Sequence, residues 1–383
     1  MFAMKKEGGV IELIKEHSNI VTKRLSNIEL LRIISMLLII TTHFWGHGID
    51  LASIEPFTFP YYFGWFVKGV SYVSVNIYVL ISAYFLCRSK FKVSKLLALW
   101  FEIEFYSVSL YALAVLSNIV LFSIRGVLTA LFPVCTGEYW FVTIYIGLFL
   151  LHPILDFFIA AMNRRQHGVT VIILILLFSV IPNIFFFSKW LNFGTGYGIV
   201  WFVVLYFIGS YLRLYVTKKW IKRNTMKIRI LSIIFLLLPG ISRIVIAFST
   251  RLILGHVMGA GLFFSNNSII IVPATVLFFL MFLSFDIKNE KVGKVINKLS
   301  SGSLAVYLIH DNPNISSKLW DILTEDIHLD DMRLIIEFLG VIIGIYVSCI
   351  IIDAIRRQLF ETANNISVGN KIDIFINKVF YIQ

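Results

Sequence analysis

Long apolar stretches separated by short polar ones dominate this chain. Ten of them come close to the roughly 20 residues a helix needs to cross a bilayer core: 28–45, 65–87, 96–122, 139–160, 169–187, 197–216, 230–248, 268–286, 301–323 and 333–355. Little sequence remains between them, so no separate soluble domain is expected, and no internal repeat or low-complexity tract is visible. The expected organisation is a tail over 1–27, a transmembrane region over 28–355 and a second tail over 356–383. The ninth stretch is the weakest. Residues 301–309 are apolar, but His310-Asp311-Asn312-Pro313-Asn314 then interrupts them. Proline lacks the helix donor and its ring clashes with the preceding turn, so the helix is expected to break inside a polar cavity or to re-enter the membrane. The first 27 residues contain neither the apolar run nor the small-residue cleavage site of a signal peptide.

Composition supports the pattern. Of 383 residues, 58% are hydrophobic and only 15% charged, and 35 are Phe; soluble domains run nearer half apolar and a quarter charged. A soluble enzyme, a disordered chain and a small disulfide scaffold are thereby excluded. The fold class expected is all-α, a polytopic integral membrane protein, because a helix satisfies its own backbone in lipid. Cys87, Cys135 and Cys349 are odd in number and far apart, so no disulfide framework is implied. The net charge of +12 follows the loops: 26 of the 34 Lys and Arg residues fall in the two tails and in alternate loops, with seven opposite and Arg32 inside the first stretch. This positive-inside asymmetry places both termini in the cytoplasm and turns the basic charge toward anionic lipid rather than nucleic acid.

Ionisable groups inside membrane spans are costly unless paired or hydrated, and therefore mark function by default. The first stretch carries Glu29, Arg32 and His43. At 100° per residue, Arg32 and His43 point within about 20° of one another, roughly 16 Å apart along the axis. Glu29 stands three residues before Arg32, within reach of an ion pair. Snorkelling of Arg32 and a packing hydrogen bond for His43 would explain each alone, but two such costs on one stripe favour a functional site. Ser71, Ser74 and Ser82 suit close helix packing, whereas the costlier Asn76 is assigned to the same cavity as the stripe. Glu102 and Glu104 lie near the depth of Arg32 as structural counter-ions. Glu138-Tyr139-Trp140 opens the fourth stretch, where an aromatic belt accounts for Tyr139 and Trp140. His152 and Asp156 read as packing or snorkelling groups. Arg243, after an expected break at Pro239-Gly240, either holds an anionic acceptor or reaches the interface. His47 lies beyond the first span and is expected to tolerate substitution. Gly-x-Ser-x-Gly, Walker and His-Glu-x-x-His motifs are missing, and no dedicated metal site is expected.

The run from Asn27 through Glu29 and Arg32 to His43 resembles the opening helix of the membrane acyltransferase 3 family, whose pattern is an acidic residue, Arg three later and His eleven beyond that. The segment from Val75 through Asn76, Ser82 and Ala83 to Phe85 is similar to its second-helix motif, with Asn76 where Asp is common and Ala83 where Gly is common. Glu138–Phe141 and Leu304–His310 resemble segments of the branch that O-acetylates bacterial surface polysaccharides. The resemblance implies O-acyl transfer from a cytoplasmic acyl-CoA, with acetyl-CoA as the donor, to a sugar hydroxyl of a surface polysaccharide or its lipid-linked precursor, in a bacterial inner membrane. It implies His43 as catalytic, either as base or as acyl carrier, and Glu29 as the group orienting Arg32. Arg32 would hold a phosphate of CoA with help from Arg88. Glu138, Trp140, His310 and Asn76 would face the carbohydrate acceptor. The competing class is a transporter or exporter of a polysaccharide precursor, which the Pro239 and Pro313 breaks would also suit. Against it stand the lack of an inverted repeat and a polar stripe confined to one helix.

Overall fold

The computed structural model describes residues 25–185, 194–329 and 332–361, so most of both expected tails and the end of the fifth stretch at Phe187 lie outside the described residues. All regular structure among the described residues is helical. Helix α1 (Ser26–His43) widens at its end into a π turn over Phe44–Gly48, where Trp45 leaves helical geometry. Helix α2 (Phe59–Ser71) carries Pro60 in its first turn, where a backbone donor has no helical partner to lose, and is followed after Tyr72 by α3 (Val73–Leu86). Then come α4 (Val93–Leu116), the short α5 (Ile124–Leu131) and α6 (Pro133–Thr136), and α7 (Trp140–Ala161). An Asn163/Gln166 capping box opens α8 (Arg164–Ile175), which runs through a π turn into α9 (Ile181–Ile184). The remainder comprises α10 (Ile199–Tyr215), α11 (Lys218–Arg223), α12 (Thr225–Leu254), α13 (Ile271–Leu283), α14 (Glu290–Ser300), α15 (Ser303–His310), α16 (Ser316–Thr324) and α17 (Arg333–Glu361).

Among the described residues, seven helical stretches are long and apolar enough to cross a membrane: Ser26–Gly48, Phe59–Leu86, Val93–Leu116, Trp140–Ala161, Arg164–Ile184, Thr225–Leu254 and Arg333–Leu359. The other three of the ten expected spans differ. Helices α10 and α13 are apolar but shorter, and the ninth stretch is broken into α15 and α16 around Asp311–Ile315. Burial explains how short helices suffice. Phe202, Leu205 and Tyr206 of α10 and Ile271, Ala274 and Phe279 of α13 are buried with α3 in the centre of one core cluster, whereas α8, α12 and α17 turn Ile172, Ile233 and Ile336 outward. A central helix is surrounded by protein; a peripheral one must itself match the lipid.

The expected break at Pro239-Gly240 does not occur: α12 continues through it. These residues instead form a crossing point with α2. A Cβ placed on Gly69 would lie 2.6 Å from the Gly240 nitrogen, and one on Gly240 would lie 2.9 Å from the Phe66 backbone oxygen. Small residues allow the two backbones to touch. Gly240→Val should therefore lower stability by about 1–3 kcal/mol or more through overpacking, whereas Gly340→Ala, where a Cβ meets nothing within 4 Å, should not. Thermal unfolding in detergent distinguishes them; equal melting temperatures would refute the crossing.

Two contacts set the depth of α1. Asn27 donates through Nδ2 to the carbonyls of Phe282 and Phe285 at 2.8 and 2.7 Å, satisfying orphan acceptors where α13 ends. At the same end Ser300 donates to Glu29 Oε2 at 2.6 Å and Arg357 donates to Ser301 Oγ at 2.6 Å, fixing the start of α15. Helix α15 then runs alongside α1 and stops with His310 against His43. Beyond the break, α16 covers the π turn, with Trp320 packed edge-on to Phe44 and Thr324 bonded to the Gly48 carbonyl at 3.4 Å.

Candidate active site

Helical geometry brings one face of α1 to a cavity of about 240 Å3 along its whole length. Arg32, Met36, Ile39 and His43, spaced four, three and four residues apart, line it together. Val75, Tyr78 and Ser82 of α3 form the opposite wall; Trp140, Phe141 and Tyr145 of α7 and Ser303, Leu304 and Tyr307 of α15 close it. The walls are mostly apolar, with a cation at one end and an imidazole at the other.

At the cation end, Glu29 and Arg32 pair at 3.4 Å, and Tyr78 donates its hydroxyl to the Arg32 carbonyl at 2.9 Å. Because Glu29 also accepts from Ser300, its carboxylate is held between two elements and leaves the partly exposed Arg32 guanidinium a fixed direction. Arg88 is not among the lining residues; it follows α3 beyond Cys87. Glu102 pairs with Arg356 at 3.1 Å rather than with Arg32.

The imidazole end is more constrained than the sequence suggested. His43 Nδ1 lies 3.0 Å from His310 Nε2, and His310 Nδ1 lies 2.5 Å from the Val306 carbonyl. A carbonyl can only accept, so His310 Nδ1 carries a proton and, in neutral His310, Nε2 is the acceptor. His43 must then donate from Nδ1, which leaves its Nε2 with a free lone pair. Asp311 Oδ1 stands 3.5 Å from the same His43 nitrogen and 3.6 Å from His47 Nδ1, placed to stabilise an imidazolium. His47 stacks on His43 with ring centroids 4.8 Å apart, so it belongs to the cluster despite lying past the regular helix; its i+4 spacing from His43 was the available signal. His43, His47 and Asp311 offer donor atoms within 4.8 Å of one another, a set that could hold a cation, but metal binding at His43 Nδ1 would displace its hydrogen bond to His310.

Several expected contacts resolve differently. His310 is 0% exposed and commits both ring nitrogens within the protein, Nε2 to His43 and Nδ1 to the Val306 carbonyl, a geometry suited to orienting His43. Asn76 is likewise buried outside the cavity: it donates to the Asn266 carbonyl at 2.6 Å and accepts from Trp201 Nε1 at 3.0 Å, tying α3 to α10. Ala83, the other departure in that motif, meets Gly209 of α10 so closely that a Cβ there would lie 2.6 Å away; the motif's two unusual positions serve helix packing. Glu138 does not line the cavity, though Trp140 does. Its neighbour Tyr139, read from sequence as a belt residue, is 1% exposed. Tyr139 donates to the Leu308 carbonyl at 3.0 Å and accepts from Asn312 Nδ2 at 2.6 Å, pinning the broken end of α15. His152 bonds the Phe149 carbonyl at 2.6 Å and Asp156 accepts from Tyr206 at 2.7 Å, both packing contacts.

A family model described as an acyltransferase domain matches residues 25–354, which includes every residue of this site. The chain belongs to the acyltransferase 3 family. It is a membrane acyltransferase, and membership in that family does not favour the transporter reading. No curated protein and no solved structure matches the chain. In this acyltransferase the cavity between Arg32 and His43 is the feature that joins a guanidinium to an imidazole.

Proposed function

We propose that this acyltransferase moves an acyl group, acetyl in the simplest case, from a cytoplasmic acyl-CoA to a sugar hydroxyl of a surface polysaccharide or its lipid-linked precursor, in a bacterial inner membrane. The observation that carries the reading is the apolar-walled cavity with Arg32 at one end and His43 at the other. Acyl-CoA is polyanionic at its nucleotide and thin along its pantetheine arm. With the Arg32 end at the cytoplasmic face, as the basic loops favour, the guanidinium takes a phosphate and the arm extends along the roughly 16 Å to His43. Trp140 flanks the path of the arm or the sugar.

His43 Nε2 removes the proton of the attacking hydroxyl, whose oxygen bonds to the thioester carbonyl. The tetrahedral adduct collapses with cleavage of the C–S bond, and the proton on His43 passes to the departing CoA sulfur. The imidazolium that exists between those two transfers carries its second proton on Nδ1, toward His310 and Asp311. The hydrogen-bond pattern supports His43 as base, since the nitrogen left free is an acceptor with no proton of its own.

Arg32 provides the test. In purified protein, Arg32→Ala should weaken acetyl-CoA binding about tenfold or more, the scale of one lost charge-assisted contact. Arg32→Lys should recover only part of it, because an ammonium keeps the charge without the planar fork. Unchanged affinity in both variants would remove Arg32 from the donor site, and no acetyl-CoA binding by the wild type would overturn the reading.

A further inference from the structure

Past His43, on the side of the π turn, two cations converge on one indole. Lys68, in the last turn of α2, places Nζ 5.5 Å from the Trp65 ring centre, and Arg243 of α12 stacks its guanidinium 3.7 Å from the same centre. Neither is in an ion pair among the described residues. Asp50, the acidic group whose charge reaches Lys68, spends Oδ1 on the Ala52 amide at 2.9 Å. Lys68 donates one hydrogen bond to the Trp45 carbonyl at 2.6 Å, within the π turn, and so stands two residues beyond His43. Two further donors face the same region without a partner: Arg243 Nε and Trp65 Nε1 are both buried and unbonded.

A purely structural role accounts for part of this. One cation on an indole face is a common stabilising contact, and the bond to Trp45 anchors Lys68. The Tyr61 hydroxyl neighbours the Arg243 guanidinium, but a neutral hydroxyl does not offset a second cation at one ring, and the buried unbonded Nε and Nε1 donors still cost free energy. An oxyanion between them removes both costs. The sequence left Arg243 open between an acceptor and the interface; Lys68 and the orphan donors decide between them.

We propose that Lys68, Arg243 and the Trp65 indole form a subsite for a negatively charged group of the acceptor, so that the acyltransferase acts on acidic glycans. This rests on the proposed acyl transfer to a sugar. The shared chemistry is an oxyanion adjoining the acylated residue: a uronate carboxylate within the glycan or a phosphate that links it to a lipid or a neighbour. A carboxylate or phosphate accepts hydrogen bonds from the guanidinium and the ammonium together, while its sugar ring lies toward His43.

The test measures binding to the full chain in lipid nanodiscs by titration calorimetry, with three probes that share one tail: octyl glucoside, octyl glucuronide and an octyl glucosyl phosphodiester. Acetyl-CoA affinity is measured in parallel, so failure of the donor reading shows separately from failure of this one. The wild type should bind one charged probe at least about tenfold more tightly than the neutral glucoside, the scale of one charge-assisted contact. Preference for the glucuronide assigns a carboxylate, and preference for the phosphodiester assigns a phosphate. Lys68→Met and Arg243→Met should each lose that preference while acetyl-CoA binding persists. No preference in the wild type, binding of none of the three probes, or full preference in both variants would overturn the proposal.

Discussion

His43→Ala is expected to lower acyl transfer by about 10²–10⁴-fold, the range for losing a positioned general base, with acetyl-CoA affinity unchanged. On the proposed reading the donor's charged end lies at Arg32, eleven residues away along α1, and Asn27 and Glu29 fix α1 through contacts that do not involve His43. The helix and the cavity should therefore survive the substitution. The measurement is CoA release and labelled acetyl transfer at saturating donor, with binding measured separately. His47→Ala is a useful contrast: it removes the ring stacked on His43 but leaves the bond to His310, so a loss of less than about tenfold is expected. Wild-type turnover by His43→Ala would remove His43 from the chemistry.

His310→Ala is expected to cost nearly as much, through a different route. With His310 gone, His43 Nδ1 loses its acceptor at 3.0 Å and the ring is free to exchange tautomers or turn toward Asp311. The wrong tautomer presents an N–H to the substrate hydroxyl and cannot accept its proton, an effect that reaches about 10⁴-fold where an orienting partner is lost in other base-assisted acyl transfers. Because His310 is buried with both ring nitrogens engaged within the protein, kcat should fall with KM for both donor and acceptor little changed. A rise in acceptor KM at constant kcat would show instead that His310 contacts the sugar.

The polar stripe was legible in the sequence because everything about it lies on one helix. A period of 3.6 residues places Glu29, Arg32 and His43 on a common face at known depths whatever surrounds them, and the same regularity made the long lipid-facing helices readable from their apolar length. The interruption at His310–Asn314 was also visible, since proline acts on its own turn. What each polar group meets across the bundle was not legible. Asn76 and His310 are costly to bury in any membrane helix, so both looked like cavity residues, yet one links α3 to α10 and the other locks the tautomer of His43. Glu138 and Tyr139 are adjacent in sequence, and only the fold shows that the tyrosine, not the acid, holds the end of α15.

Pro239 shows the same division. Its sequence context predicts a break, but the close approach of Gly69 and Gly240 lets α12 continue against α2 and brings Arg243 over Trp65. The sequence by itself determined a helical membrane protein, the angular position and depth of groups along α1, and a discontinuity at Pro313. The tertiary structure decided which of those groups meet, because a hydrogen bond between helices depends on their crossing and rotation. These are set by packing of residues far apart in the chain, a sum of many small contacts that no local pattern encodes.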